Sequence, residues 1–188
     1  MKWNSSYEEN DFGSLFYSIV RINKPVRIVE LGTKDGYSAF HIARALEDNN
    51  LGYLYCYDLW EDYEFNSCYL ETAKENLKDY ENRIIFVKTD AREIEKKYTS
   101  VDILHIDLSN HGELLDEILI PWLPKAKLII IEGGSEERDN VEWMKKYNKK
   151  PIKQWLEDHK HLFDYFTINQ FPSVTLIKPK KIENERNK

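Results

Sequence analysis

The stretch Val26–Leu46, V-R-I-V-E-L-G-T-K-D-G-Y-S-A-F-H-I-A-R-A-L, decides how the rest of the chain is read. Val26 to Val29 is a short apolar, β-branched run of the kind that forms a strand buried on both faces. Glu30 closes that run, and a turn carrying Gly32 and Gly36 follows. Beyond the turn, Ala39, Phe40, Ile42, Ala43, Ala45 and Leu46 fall at helical spacing. Strand, glycine turn and helix in this order make the first half of a nucleotide-binding βαβ unit. Glycine suits such a turn because it accepts positive φ and lets a ligand approach bare backbone.

The spacing within the turn selects among ligands. A dinucleotide site reads G-x-G-x-x-G and rests a diphosphate on the helix N-terminus. Here the glycines are spaced G-x-x-x-G, and Glu30 stands two residues before the first. A buried anion repels a diphosphate, which disfavours an NAD-dependent oxidoreductase, and it suits an amino-acid ammonium or a sulfonium. On these residues the stretch resembles the first signature of class I S-adenosylmethionine-dependent methyltransferases. More narrowly, E-L-G-T-x-x-G-Y-S is similar to the catechol and caffeoyl-CoA O-methyltransferase branch and its small bacterial relatives. The resemblance implies an α/β fold: a Rossmann-like, doubly wound, seven-stranded and mostly parallel sheet with an antiparallel C-terminal strand. It also implies S-adenosyl-L-methionine as cofactor, held at its amino-acid end by Glu30, Gly32, Thr33, Lys34, Gly36 and Ser38.

The remaining elements alternate as that fold requires. Asp11 to Ile22 reads as a helix ended by Pro25, and the resemblance gives such a helix (11–23) a part in capping the site. Tyr53 to Tyr57 is the second strand, and Asp58 ends it about 20 residues after Gly36, where a carboxylate accepts hydrogen bonds from both ribose hydroxyls. Leu59 and Trp60 follow as candidates to pack on adenine. Tyr69 to Leu77 is helical, Arg83 to Val87 is the third strand, and Asp90 either N-caps a short helix from Ala91 to Lys96 or meets the adenine amino group beside the Ala91 amide. Val101 to Asp107 is the fourth strand, and Asn110 with Glu113 forms a capping box for the next helix. Lys127 to Ile131 is the fifth strand, ending in Glu132-Gly133-Gly134. Ser135–Tyr147 and Pro151–His159 read as helices, and Phe163–Ile168 with Ser173–Ile177 as a closing antiparallel pair. Residues 1–180 therefore read as one domain and 181–188 as a charged tail. Glu30, Asp58, Asp90, Asp107 and Glu132 all fall at strand ends, where the ligand crevice of a doubly wound sheet lies.

Two routes to an activated hydroxyl are open. Asp107 ends the fourth strand, where the resemblance also counts it among the cofactor-binding residues, and His111 stands near a helix N-terminus that favours its neutral, basic form, so both are candidate catalytic residues. Alternatively a divalent metal lowers the hydroxyl pKa. The resemblance places Mg²⁺ on an Asp after the fourth strand and an Asp-Asn pair after the fifth. The counterparts here are Asp107, Glu132 and Gly133, and the family's lysine after the fourth strand is replaced near Asn110. These departures leave the metal ligands undetermined. They also motivate a second class of function, a non-catalytic S-adenosylmethionine-binding sensor or assembly protein.

At 188 residues the chain suffices for one domain, and its 12 Tyr, 8 Phe and 5 Trp supply a core. A net charge of −6 argues against nucleic-acid binding, and no apolar run reaches the length that spans a bilayer. Cys56, in a strand, and Cys68, placed in a helix, show no disulfide or metal spacing, as expected of a cytoplasmic protein. The expected partners are a small-molecule substrate and a second copy of the chain in a homodimer, with no nucleic acid and no membrane. The expected activity is methyl transfer to a small-molecule hydroxyl.

Overall fold

The computed structural model describes residues 3–65 and 68–181. The charged tail reaches beyond these: β7 runs on to Pro179, and 182–188 lie outside the described residues. The elements follow one another as α1 (Phe12–Asn23), β1 (Arg27–Leu31), α2 (Tyr37–Asn49), β2 (Tyr53–Asp58), α3 (Leu70–Leu77), β3 (Ile84–Lys88), β4 (Val101–Ile106) and α4 (Gly112–Ile118). Then come β5 (Ala126–Glu132), α5 (Glu136–Asp139), α6 (Glu142–Lys146), α7 (Ile152–His159), β6 (Phe163–Ile168) and β7 (Val174–Pro179).

One seven-stranded sheet has the order β3-β2-β1-β4-β5-β7-β6. The first five strands are parallel, and β7 inserts antiparallel between β5 and β6. The strand order reverses between β1 and β4, so the switch point, and the crevice at the carboxyl ends, lies there. Alternate residues of the central strands feed two cores. Ile28, Leu54, Ile103 and Ile130 pack with α1 and α2, whereas Val29, Leu104, Ile129 and Ile131 pack with Leu115, Trp122, Trp155 and Leu156 on the other face. Helices on both faces explain why these strands read as nearly continuous apolar runs. Among the described residues, no helix is long and apolar enough to cross a membrane.

Three local expectations give way. Ser135–Tyr147 is split into α5 and α6: Asn140 Nδ2 donates to the Glu136 carbonyl at 2.8 Å, ending the first helix, and Val141 is extended. Asp139 is held elsewhere, accepting the Ile152 and Lys153 N–H groups at the start of α7, both at 2.8 Å. The segment after Asp90 is two 3₁₀ turns, Ala91–Glu93 and Glu95–Lys97, with Asp90 capping the first through the Arg92 N–H at 2.9 Å. Cys68 lies just ahead of α3 and not within it.

Candidate active site at the carboxyl ends of the strands

The glycine turn is built by close approach. Gly32 has φ +87°, donates to the Tyr57 carbonyl at 2.8 Å, and would bring a Cβ to 2.1 Å from the Asp107 carbonyl. Only glycine lets β1 leave the sheet here with β4 pressed against it. Lys34 and Gly36 also take positive φ, and the Gly32 and Gly36 N–H groups are tied back to the Tyr57 and Thr33 carbonyls.

Asp58 holds that turn. Its Oδ2 accepts the Thr33 and Lys34 N–H groups, both at 2.8 Å, and its Oδ1 accepts the Trp60 N–H at 2.7 Å. A carboxylate has about four acceptor positions, so one remains for a ribose hydroxyl where sequence suggested two. Trp60 is enclosed, and its indole N–H donates to the Lys34 carbonyl at 2.9 Å. It is a post beneath the turn, with no face free for adenine. Lys34, Asp58, Leu59, Asp90, Ala91 and Asp107 remain partly accessible along the same edge.

Glu30 points inward. It is 0% exposed, and its four acceptor positions face four donors. Oε1 accepts from Ser38 Oγ at 2.6 Å and His105 Nδ1 at 3.0 Å. Oε2 accepts from Thr33 Oγ1 at 3.0 Å and Cys56 Sγ at 3.6 Å. The parallel register sets Glu30 opposite His105, which creates the pair. Beyond it, His105 Nε2 lies 3.5 Å from the buried Tyr7 hydroxyl. Burial raises the Cys56 thiol and the Tyr7 phenol well above their ordinary values, so both stay protonated.

Asp107 follows β4, its N–H donating to the Leu31 carbonyl at 2.9 Å. Burial pushes its carboxyl up to about 6, with Glu30 adding and His105, Lys34 and Arg138 opposing. His111, the other sequence candidate, N-caps α4: its Nδ1 faces the Leu114 N–H at 3.3 Å and the Glu113 carboxylate at 2.7 Å. It replaces Asn110, the expected cap, because Asn110 Nδ2 is drawn inward to the Ile106 and Glu132 carbonyls, each at 2.9 Å.

At the end of β5, Glu132 is claimed by Arg138. Arg138 Nε donates to Oε1 and Nη2 to Oε2 at 2.9 Å, a two-pronged pairing in which both side chains are buried. Burial pushes the Glu132 carboxyl up to about 7, against the pull of the guanidinium. Arg138 Nη2 also reaches the Asn110 carbonyl at 3.4 Å, and the guanidinium lies 5.1 Å from the Trp143 ring centre. The Mg²⁺ set that the resemblance suggested does not fit this arrangement. Among the described residues, no group of three or more His, Cys, Asp or Glu is placed to hold a metal ion.

The N-terminal segment covers this edge. Lys34 Nζ donates to the Asn4 carbonyl at 2.5 Å, the Asn4 N–H donates to Asp35, and Trp3 packs on Tyr37 and Phe40. The sequence points to the segments around Tyr7 and Ser135–Trp143 as pocket-lining without singling out Arg138, and it assigns His105 to packing. A polar residue in the middle of a buried strand was the available signal for His105; S-E-E-R around Arg138 reads as solvated helix.

Comparison with known proteins agrees with the fold. A family model described as a methyltransferase domain matches residues 29–128. No curated protein matches the chain. Among solved structures, cofactor-bound Rv0187 from MTB superposes with a TM-score of 0.72 at 14% identity, covering 96% of this chain and 84% of that one. The O-methyltransferase TomG of Streptomyces achromogenes, involved in tomaymycin synthesis and in complex with SAM, gives 0.66 at 16% identity over 93% and 86%. An O-methyltransferase of Bacillus cereus in complex with SAH gives 0.65 at 17% over 89% and 80%. At these identities the likeness speaks for the fold.

Proposed function

Since the chain belongs to the methyltransferase domain family, we propose that it moves a methyl group from S-adenosylmethionine to a hydroxyl of a small molecule. The observation that carries this reading is the turn itself: Gly32, Lys34 and Gly36 at positive φ, with Asp58 and Asp107 partly accessible on either side of the switch point. The neighbours' bound SAM and SAH and their O-methyltransferase titles support it. Bound there, the cofactor supplies a methyl group already activated on a sulfonium.

The chain's own residues do the rest. The backbone of Gly32–Gly36 receives the amino-acid end, and Asp58 keeps one acceptor position for a ribose hydroxyl. Leu59, Asp90 and Ala91 border the adenine. Glu30, Ser38, Thr33 and Trp60 set the shape of the turn from inside, a positioning role instead of ligand contact. Asp107 accepts the hydroxyl proton as the acceptor oxygen bonds to the methyl carbon; the sulfur–carbon bond breaks and its electron pair stays on sulfur. A carboxyl near 6 is well matched to that task at neutral pH. We place this chemistry in a single domain of the cytoplasm, acting on a small molecule and not on nucleic acid.

Calorimetric titration with S-adenosylhomocysteine tests the reading, followed by mass spectrometry of a hydroxyl-compound panel incubated with S-adenosylmethionine. Binding and a methylated product are expected. Folded protein that takes up no S-adenosylhomocysteine refutes it.

A further inference from the structure

We infer that Arg138 supplies, from within the chain, the positive charge that faces the methyl-acceptor oxygen, so that transfer here needs no divalent metal. The inference rests on the methyltransferase reading and assigns the acceptor's recognition to Arg138 and Asn110.

Three observations converge. First, the place for a cation beside Glu132 is spent: both carboxylate oxygens accept from Arg138, through Nε and through Nη2 at 2.9 Å. Second, the position from which a further ligand would reach is closed. Gly133 carries no side chain, has φ +106°, and would set a Cβ 2.4 Å from Ile152 Cδ1. Third, among the described residues two buried side-chain polar atoms have no partner, the donor Arg138 Nη1 and the acceptor Asn110 Oδ1, on residues joined by Nη2 and the Asn110 carbonyl at 3.4 Å. Buried polar atoms are nearly always paired. An unpaired donor and an unpaired acceptor on two residues in contact match a hydroxyl, which accepts one hydrogen bond and donates another.

Arg138 is fixed by its surroundings. Its backbone N–H donates to Ser135 Oγ at 3.2 Å, the Trp143 ring stands 5.1 Å away, and the side chain is 6% exposed. Asp107 and Glu132 directly follow Ile106 and Ile131, which pair across the neighbouring strands β4 and β5, so the two acids stand at adjacent strand ends. An acceptor hydroxyl seated on Nη1 and Asn110 Oδ1 thus has its base close by. As its proton passes to Asp107 and the oxygen takes the methyl from the sulfonium sulfur, Nη1 meets the developing negative charge. A guanidinium stays charged throughout, so it can fill the electrostatic part of a metal ion without being lost to a chelator.

The test has arms for the ion and for the arginine. Terbium luminescence sensitised by the chain's aromatic residues, and thermal unfolding with and without MgCl₂, read cation binding directly. The wild-type chain is expected to show neither terbium signal nor Mg²⁺-dependent shift, and to methylate its acceptor equally with EDTA. Arg138→Lys keeps a charge but loses Nη1; its transfer rate should fall about a hundredfold while S-adenosylhomocysteine affinity holds. Arg138→Met, read if it folds, should gain Mg²⁺-dependent stabilisation because Glu132 is released beside Asp107. Saturable terbium binding by the wild type that Glu132→Gln abolishes, transfer abolished by EDTA, or full activity in Arg138→Lys would each overturn the inference. Failure of S-adenosylhomocysteine to bind would instead remove the methyltransferase reading beneath it.

Discussion

Glu30→Gln separates two accounts of the same carboxylate. If Glu30 greeted a ligand's ammonium, removing its charge would weaken the ligand and spare the fold. The structure argues the reverse. Ser38, His105, Thr33 and Cys56 direct four donors at its two oxygens, and the residue is fully enclosed. Glutamine turns one oxygen into an amide that must face two of those donors. Hydroxyls can rotate to accept, and the thiol at 3.6 Å is a weak partner. The amide is best placed toward Thr33 and Cys56, leaving Ser38 and His105 paired. One impaired buried group costs about 1–3 kcal/mol. For a chain of this size each kcal/mol moves the unfolding midpoint by roughly 2–4 °C, so a fall of about 2–12 °C is expected. Urea unfolding gives the free energy, and calorimetry gives S-adenosylhomocysteine affinity, which should stay within about tenfold of wild type. A variant as stable as wild type to within about 0.5 kcal/mol, yet binding the ligand a hundredfold more weakly, would refute the reasoning.

Other perturbations follow from the same geometry. Gly32→Ala forces a Cβ to 2.1 Å from a carbonyl at φ +87°, and should cost about 2–6 kcal/mol in urea unfolding. Asp107 has its folded value raised to about 6 from 3.8, so its ionisation opposes folding: the stability it contributes is complete below about pH 3.8 and lost as pH rises through 6. Asp107→Asn should therefore be more stable than wild type above pH 6, by up to about 3 kcal/mol before solvent relaxation is discounted, with the difference gone by pH 4. Its transfer activity should be lost, and wild-type activity should climb through pH 6 as Asp107 gives up its proton. His111→Ala removes the α4 cap and should cost about 0.5–2 kcal/mol while transfer falls less than tenfold. A hundredfold loss of transfer with the fold intact would make His111 the base.

The fold was legible because its signals are local. Val26–Leu46 carries a buried strand, a glycine turn and an amphipathic helix within 21 consecutive positions, and repetition of that unit forces a parallel sheet. The orientation of the strand-end side chains was not legible, since it depends on partners far along the chain. His105 is 75 residues from Glu30, and only the parallel register of β1 with β4 sets them side by side. Arg138 lies in S-E-E-R, a pattern that reads as solvated helix until the β5 end brings Glu132 within reach of it. Asn110 and His111 are both capable caps in adjacent places. Which one caps is decided by the Ile106 and Glu132 carbonyls, which capture Asn110 first.

What distinguishes the five strand-end acids is how each is compensated. Glu30 is compensated by His105 and two hydroxyls, and Glu132 by the two-pronged guanidinium. Asp58 takes three backbone amides, and Asp90 takes the Arg92 N–H and its side chain. Among the described residues, the Asp107 carboxylate has no hydrogen bond and no ion pair of its own, and burial has raised it to about 6. A carboxylate already satisfied by the protein must break something to take a proton; one that is not can do so at no structural cost. The base proposed for the reaction is thus the one strand-end acid that the fold leaves without a hydrogen-bonded partner among the described residues. On the proposed reading the chemistry lies between the Gly32 turn after β1 and Arg138 beside the end of β5, with Asp107 after the intervening β4.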